Sequence, residues 1–390
     1  MSCNSDTSDS SVHFSPGSYG YDAIFLQKHL NHVAELTNKE GAKVLITGDY
    51  QGRVMTSTAG GNDGNSFGWI NYKLIEQGRM QPQFNPVGGE ERFWIGPEGG
   101  QYSFYFKKGD DFNFRNWQVP AFIDTLPYAV VSEENDKIVF SHNATIENYS
   151  GATFQVEVSR TVRLLNEAAL SAKLQQPVPD NVQWVAYETE NMVKNTGSAE
   201  WKKENGLLSV WLLGMFTPSD ETVAIIPFKN IPGAGNHVTD NYFGQIPADR
   251  LIMADSVLLL KCDGKHRSKL GLSPAIAKPV AGSFDFKKNI LTCILFSVDT
   301  EGNYVNSKWE MQDEPYRGDA VNAYNDGPLE DGGQMGPFYE LESSSAAKPL
   351  KPGESLHYSQ VTCHFEGNYD TLNVLAEKLL GISLDKARLP

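Results

Sequence analysis

The chain has 390 residues, a net charge of −15 at pH 7 and 40% hydrophobic residues. This length suffices for two average domains or for one large β domain with a sizeable core. The acidic balance argues against nucleic acid and against an anionic membrane surface as partners, because both repel a negatively charged protein. The sequence has no run of 18 or more apolar residues, so it predicts no transmembrane helix.

The first twenty residues are polar, rich in Ser and Asp, and predict a disordered tether. Cys3 opens this tract, in an arrangement that resembles the mature start of a bacterial lipoprotein after removal of its signal peptide. We therefore expect a lipid anchor at Cys3, the only membrane attachment predicted, and a periplasmic or surface-exposed location in the bacterial cell envelope. The alternative is a disordered cytosolic N-terminus.

A helix is predicted from Asp22 to Asn38, with Asp22 as its cap, because apolar residues recur there at three- and four-residue spacing. β-strand patterns follow. Residues 42–47 and 53–59 predict two strands joined by a turn. Residues 67–78 fit a strand or a short helix equally well, and residues 102–106 predict a further strand.

From about residue 127 onward strand patterns dominate, most clearly in residues 144–166. Arg160 falls on the apolar face of that segment, where an arginine must be paired or must line a polar cavity. The two interpretations are a structural ion pair and a ligand-facing side chain. Six more strands and a C-terminal helix capped at Asp370 follow. Three cysteines lie in such strands and predict small buried hydrophobic residues: Cys262, Cys293 and Cys363.

Many strands without βαβ alternation predict an all-β fold with minor helices. We expect one sandwich domain over residues 21–390, with a helix near each end, after the tether of residues 1–20. The longest loop within it is the insertion of residues 229–248.

Two dense polar stretches stand out, because glycines and prolines separate their charged and aromatic residues. Residues 85–101 contain Arg92, Trp94 and Glu98. Residues 309–342 contain a larger set, namely Trp309, Arg317, Asp319, Asn325 and Asp326. Such stretches mark backbone bent to present polar groups to a ligand. The alternative is a solvated loop with incidental charges.

The common nucleotide, zinc-protease and redox motifs are absent from the sequence. One G-x-S-x-G string occurs around Ser66, but a Gly/Asn loop precedes it instead of the strand that a nucleophile elbow needs. We expect no metal or other cofactor. The alternative is Ca²⁺ held by oxygens of Asn325, Asp326, Glu330 and Asp331, although their spacing is not that of an EF-hand.

Glu340 and Glu342 lie two positions apart in a predicted strand, so they share a face with a backbone separation of roughly 6.5–7 Å. An acidic face beside aromatic residues suits proton transfer to or from a sugar hydroxyl or glycosidic oxygen. The spacing is also compatible with an inverting hydrolase, in which roughly 6.5–9.5 Å leaves room for water. The alternative is an exposed acidic strand edge.

Three segments, residues 88–101, 316–328 and 336–360, resemble a family of uncharacterised bacterial envelope proteins. That family is allied to the galactose mutarotase-like (aldose 1-epimerase-like) superfamily. The resemblance implies an antiparallel β-supersandwich with a sugar cleft on its concave face. It implies Glu342 as the base, with Glu340 as the second candidate, and Arg92 as an arginine that holds the sugar. The histidine acid has no match in its middle strand, which leaves His237 in the insertion as a substitute.

We therefore expect a carbohydrate-active envelope protein that epimerises a sugar or cleaves a glycoside. Its catalytic residues would be Glu342, Glu340 and His237. Its carbohydrate ligand would contact Arg92, Trp94, Glu98, Arg160, Trp309, Arg317, Asp319, Asn325 and Asp326. One alternative is a non-catalytic glycan-binding lipoprotein on the same fold, and another is a structural envelope protein without a ligand.

Overall fold

The computed structural model of the protein describes residues 13–329 and 332–389. Cys3, Glu330 and Asp331, which the sequence analysis singled out, lie outside these residues. The helices of the described part are α1 (Tyr19–His29), α2 (Tyr72–Gln77), α3 (Glu167–Leu174), α4 (Tyr369–Leu380) and α5 (Leu384–Ala387). None of these helices has the length and apolar character needed to cross a membrane.

The strands form three antiparallel sheets. Those of the first half are β1 (Val33–Thr37), β2 (Lys43–Thr47), β3 (Arg53–Thr58), β4 (Arg92–Gly96), β5 (Ala129–Glu133), β6 (Lys137–Glu147), β7 (Thr153–Leu164) and β8 (Val182–Asn195). The next are β9 (Ser209–Phe216), β10 (Thr222–Pro227), β11 (Val238–Thr239), β12 (Leu251–Ala254), β13 (Val257–Lys261) and β14 (Ser268–Leu272). The last are β15 (Val280–Asp285), β16 (Ile290–Phe296), β17 (Val321–Asn325), β18 (Tyr339–Ser344) and β19 (Ser355–Gly367).

A ten-stranded sheet has the order β12-β13-β10-β15-β16-β19-β8-β7-β6-β5, and a six-stranded sheet has the order β11-β14-β17-β18-β9-β4. A small sheet of β1, β2 and β3 stands beside them. The predicted all-β sandwich with minor helices is confirmed.

The two large sheets face each other, and β18 shows which of its side chains point inward. The hydroxyl groups of Ser343 and Tyr339 contact the ten-stranded sheet, at 2.7 Å from Gln360 and 2.8 Å from Ser283. Because successive side chains of a strand point to opposite faces, Glu340 and Glu342 project from the other face of the six-stranded sheet. Both glutamates are nevertheless buried, so loops must cover that face.

The far face of the ten-stranded sheet packs against α3, α4 and α5 in a separate apolar cluster. The three cysteines predicted to be buried behave as predicted: Cys262, Cys293 and Cys363 are buried free thiols. Residues 144–166 also follow the prediction, because buried residues alternate along β7.

The predicted first helix was wrong at both ends. The structure begins α1 at Tyr19, inside the predicted tether, and Ser18 caps it in place of Asp22. Asp22 is buried and accepts hydrogen bonds from Ser66 and Tyr72. Residues 33–37 form β1 instead of more helix, since pairing with β2 provides their backbone hydrogen bonds.

Three other local predictions differ from the structure. Residues 102–106 are not a strand, and the Tyr105 hydroxyl instead anchors this loop by donating to Ile95 O at 2.8 Å. Of the two interpretations of residues 67–78, the short helix is right. At the C-terminus, Asn368 caps α4 instead of Asp370.

Candidate functional site

The floor of the candidate site is the outward face of the six-stranded sheet. Strand pairing places Arg92 opposite Leu213, Leu213 opposite Glu342, and Glu342 opposite Asn322. The same pairing places Glu340 opposite Tyr324 and Tyr324 opposite Lys269. Paired residues share a face of the sheet. We call the following set the cleft floor: Arg92, Trp94, Trp211, Lys269, Glu340 and Glu342.

Arg92 and Glu340 form a buried ion pair through Arg92 Nη2 and Glu340 Oε1. The guanidinium group lies over the Trp94 ring, 4.6 Å from its centroid, and 5.7 Å from that of Phe84. Its Nε and Nη1 atoms are buried and have no hydrogen-bond partner among the described residues. Arg92 can therefore donate two further hydrogen bonds, and it is held in place by two aromatic rings.

Glu342 is fully buried, and only one of its two carboxylate oxygens accepts hydrogen bonds from the described residues. Oε2 accepts hydrogen bonds from Lys269 Nζ and Trp211 Nε1, both at 2.9 Å. Oε1 is buried, and no other group of the described chain bonds to it. Buried carboxylate oxygens are normally satisfied, so this atom is available to a ligand.

The rim of the cleft brings together groups from three loops. Glu98 follows β4, Trp309 and Asp319 lie between β16 and β17, and Tyr242 comes from the insertion of residues 229–248. The Tyr242 hydroxyl donates to Asp319 Oδ2 at 2.5 Å, and Lys269 Nζ lies 5.6 Å from the Tyr242 ring centroid. These rim residues are half-buried, unlike the two glutamates beneath them.

Burial shifts the protonation of the acidic groups in the cleft. It raises the pKa of Glu340, as does the charge of Glu342, although Arg92 and Lys269 oppose the shift. Burial likewise raises the pKa of Glu98, against the charge of Lys269. Carboxyl groups with raised pKa values beside a carboxylate are the usual components of acid–base catalysis.

Lys269 remains a cation in this acidic surrounding. Burial lowers the pKa of its ammonium group, but the charges of Glu342 and Glu98 raise it further, so the net shift is upward. Burial raises the pKa of Asp319 to about 6, against hydrogen bonds from Tyr242 and Thr239. The cleft thus combines two cations with four carboxyl groups.

Comparison with known proteins identifies the family. The model of a family of unknown function, DUF6786, matches residues 17–389. The chain belongs to this family. No curated protein sequence matches it.

Solved structures show the fold of this DUF6786 protein to be galactose mutarotase-like. The Slr1438 protein of Synechocystis sp. PCC 6803 is 14% identical with a TM-score of 0.52, over 86% of this chain and 96% of that one. A candidate aldose 1-epimerase of Escherichia coli K12 is 12% identical with a TM-score of 0.50, over 86% and 99%. A candidate mutarotase of Salmonella typhimurium is 10% identical with a TM-score of 0.50, over 86% and 92%.

Several predicted site residues lie together in the cleft. The structure places Arg92, Trp94, Glu340 and Glu342 on its floor. Three others lie on its rim, namely Glu98, Trp309 and Asp319. The polar stretch of residues 309–342 is not one continuous loop, because β17 runs through it and carries Asn322 and Tyr324 on the cleft face.

Five predicted site residues have other roles in this DUF6786 protein. Arg160 lies between the two large sheets in an ion pair with Glu91 at 2.9 Å, which is the structural interpretation of its position. Arg317 is exposed and pairs with Glu314 at 2.5 Å. His237 Nδ1 lies 3.1 Å from Ser273 Oγ, and none of its recorded contacts reaches the two glutamates.

Asn325 and Asp326 are also engaged in the fold. Asn325 Oδ1 accepts from Gly264 N at 2.8 Å, and Asp326 accepts from Tyr324 and from Gly336 N. The described residues contain no group of three or more metal-ligating side chains in reach of one another. Because Glu330 and Asp331 lie outside those residues, the Ca²⁺ alternative stays an untested prediction.

Sequence reasoning missed three residues of the cleft: Lys269, Trp211 and Tyr242. Trp211 lies in a strand whose residues are all buried, so the sequence pattern does not distinguish the two faces of that strand. Lys269 had a detectable signal, since it is a lysine flanked by buried residues in β14. Tyr242 had none, because the fold of the insertion decides its position.

The cleft floor is largely covered in this structure, since Lys269 is half-buried and the other five floor residues are buried. Two small pockets lie elsewhere in the sandwich, one beside His364 and Asp285 and the other beside His357 and Tyr304. Neither contains a residue of the cleft floor. A ligand must therefore reach Glu342 between the half-buried rim residues.

Proposed function

We propose that the protein binds a carbohydrate in this cleft and transfers protons to and from it, in an epimerisation of a sugar or a cleavage of a glycoside. The main support is Glu342 Oε1, a buried carboxylate oxygen without a partner in the described chain. The same floor offers unpartnered donors at Arg92 Nε, Arg92 Nη1 and Trp94 Nε1. Sugar hydroxyl groups both donate and accept, so they match this set of groups.

Glu342 is the proposed base. Lys269 and Trp211 both donate to Oε2, and these charge-assisted bonds stabilise a carboxylate there. Oε1 is thereby left to accept the proton of a sugar hydroxyl. In an epimerisation, removal of the proton of the anomeric hydroxyl group would form a carbonyl group at C1 as the bond from C1 to the ring oxygen breaks.

Glu340 is the proposed acid. Its raised pKa favours the protonated form, and Arg92 occupies only Oε1. The proton of Glu340 would pass to the ring oxygen in an epimerisation or to the glycosidic oxygen in a cleavage. Reclosure of an opened ring from either face would return the protons and exchange the anomers. In a cleavage, Glu342 would activate water instead.

The fold supports a sugar ligand only by analogy, because the same fold can carry different functions. A candidate aldose 1-epimerase and a candidate mutarotase share it. A glycan-binding protein without catalysis remains the alternative function. The envelope location through a lipid on Cys3 also stays a prediction.

The test measures two reactions on a panel of free sugars and glycosides. NMR follows the equilibration of anomers, and a reducing-end assay follows cleavage. We expect one reaction in the wild type, and a loss of about 10²-fold or more in Glu342→Gln and Glu340→Gln, as for general acid–base groups.

Glu354→Gln is the matched control, because Glu354 is exposed and lies in the turn before β19 of the ten-stranded sheet. It should react like the wild type. Sugar binding without turnover in any variant would favour the glycan-binding alternative. Full activity in Glu342→Gln would refute the catalytic proposal.

A further inference from the structure

Beside the cleft, four aromatic rings form a group that the proposed proton transfer does not use. We call it the aromatic shelf: Phe84, Phe114, Trp117 and Trp309. Trp117 is buried at its centre, and the other three rings surround it. The Trp117 ring centroid lies 5.5 Å from that of Phe84, 5.9 Å from that of Phe114 and 5.8 Å from that of Trp309.

The shelf is continuous with the cleft floor on two sides. Phe84 contacts the Trp94 ring at 5.6 Å between centroids and lies under the Arg92 guanidinium group. Trp309 lies close enough to the carboxyl group of Glu98 on the rim to lower its pKa. The aromatic shelf and the cleft floor therefore form one continuous group of ring contacts.

Phe114 is the outermost ring and is 57% exposed. Its position is nevertheless fixed. The Gln83 side-chain amide donates to both Phe114 O and Trp117 O, and the Trp117 ring stacks on Phe114 at an angle of 21°. A ring held rigidly in solvent can bind a ligand with little loss of conformational entropy.

The surroundings of Phe114 favour a sugar over an apolar protein surface. Its chain neighbours Asn113 and Arg115 are exposed and polar, so the apolar patch has the size of about one ring. A sugar ring offers an apolar face with polar edges, which suits one aromatic ring amid hydrogen-bonding groups.

The charges of the cleft indicate which sugars fit. Even with Glu340 protonated, as proposed, Glu342 and Asp319 balance the charges of Arg92 and Lys269, and the whole chain carries a net charge of −15. An anionic sugar such as a uronate would be repelled on approach.

We propose that the ligand is a neutral oligosaccharide, whose terminal unit enters the cleft and whose following units lie across the aromatic shelf to Phe114. This inference rests on the proposed function, since the cleft must first bind a sugar. It extends that function from a monosaccharide site to one that holds a chain.

The test compares calorimetric binding of neutral hexasaccharides with that of their monosaccharides. The probes are cellohexaose, xylohexaose, mannohexaose and laminarihexaose, together with hexagalacturonate. We expect one neutral hexasaccharide to bind more tightly than its monosaccharide. Phe114→Ala should weaken that hexasaccharide about three- to tenfold, the usual value of one aromatic stacking contact, and leave the monosaccharide unchanged.

Tyr21→Ala is the matched control, since Tyr21 is an exposed aromatic residue on α1 whose ring partner is Tyr72. Equal binding of hexasaccharides by the wild type and Phe114→Ala, with the monosaccharide still bound, would overturn the role of the aromatic shelf but not the proposed function of the cleft. Tighter binding of hexagalacturonate than of the neutral chains would overturn the preference for neutral sugars. Absence of binding to every probe would overturn the proposed function and the shelf with it.

Discussion

Glu91 and Arg92 are neighbours in the chain, yet they belong to two buried charge networks of opposite character. Glu91 points between the large sheets, where Arg160, Thr189 and Gln360 donate to both of its oxygens. Arg160 in turn donates to Gly52 O at 2.9 Å and Asn191 Oδ1 at 2.7 Å. We call this the interior network. It needs no ligand, because its main polar atoms are paired within the protein.

The cleft floor has similar charges and burial but leaves several groups unpaired. Arg92 Nε and Nη1, Trp94 Nε1 and Glu342 Oε1 have no partner in the described part of the chain. A network that is satisfied stabilises one conformation, whereas one with buried unpaired atoms costs stability unless a ligand completes it. The difference between the two networks therefore separates a structural role from a binding role, although the residue types are the same.

The largest expected effect is on stability, in the interior network. Glu91→Gln keeps the shape of the side chain but leaves the fully buried Arg160 without its counter-charge. Breaking a buried ion pair in this way costs about 3–5 kcal/mol. Urea unfolding at pH 7 measures the loss. A loss similar to that of Glu354→Gln would show that the interior network is not structural.

The same substitution in the cleft should have the opposite profile. Glu342→Gln retains an acceptor for Trp211, and Lys269 keeps the nearby charge of Glu98. Because Lys269 is half-buried whereas Arg160 is fully buried, we expect a smaller loss of unfolding free energy than in Glu91→Gln, together with the loss of turnover described above. A loss of stability as large as that of Glu91→Gln would show that both networks serve mainly to stabilise the fold.

A smaller effect concerns pH. The pKa of Asp319 is about 6 in the folded protein against an ordinary 3.8, so the folded state binds more protons than the unfolded state between these values. Its contribution to stability therefore falls as the pH rises through that window. Asp319→Asn should therefore lower the unfolding free energy at pH 4 relative to that at pH 7. If the substitution leaves this difference between the two pH values unchanged, the raised pKa of Asp319 is wrong.

The smallest effect is expected at the insertion. Tyr242→Phe removes the hydroxyl group that bonds to Asp319 and leaves the ring beside Lys269. Because that bond lowers the pKa of Asp319, its loss should raise this pKa further. NMR titration of the Asp319 side chain measures the shift, and turnover should change only a few-fold. A downward shift of the Asp319 pKa would show that the Tyr242 hydroxyl does not donate a hydrogen bond to Asp319.

The sequence predicted much of the fold because strands with one buried face alternate clearly. The alternation in β7 also indicated that Arg160 had to be paired or had to line a polar cavity. It could not name Glu91 as the partner, because the two lie 69 positions apart and only the folded sheets bring them together. Helix ends were less predictable: Ser18 and Asp22 are both good caps, and burial of Asp22 against Ser66 decided between them.

The cleft was predictable where polar residues cluster along the chain, and not where they come from separate strands. Arg92, Glu340 and Glu342 lie in such clusters. Lys269 and Trp211 lie in apolar strands, and Tyr242 lies in an irregular insertion. His237 and Arg317 show the converse. Residue type suggested His237 and the polar stretch of residues 309–342 suggested Arg317, but the fold places both elsewhere.

The pairing of Arg92 with Glu340 also has a consequence for the order of folding. These residues are 248 positions apart, so their contact closes one of the long loops of the chain. Contacts of such separation form late, because the entropy of loop closure is lost before they contribute. During synthesis β4 leaves the ribosome long before β18, so Arg92 is present before Glu340 can pair with it. The cleft floor is therefore assembled only once β18 has joined the six-stranded sheet.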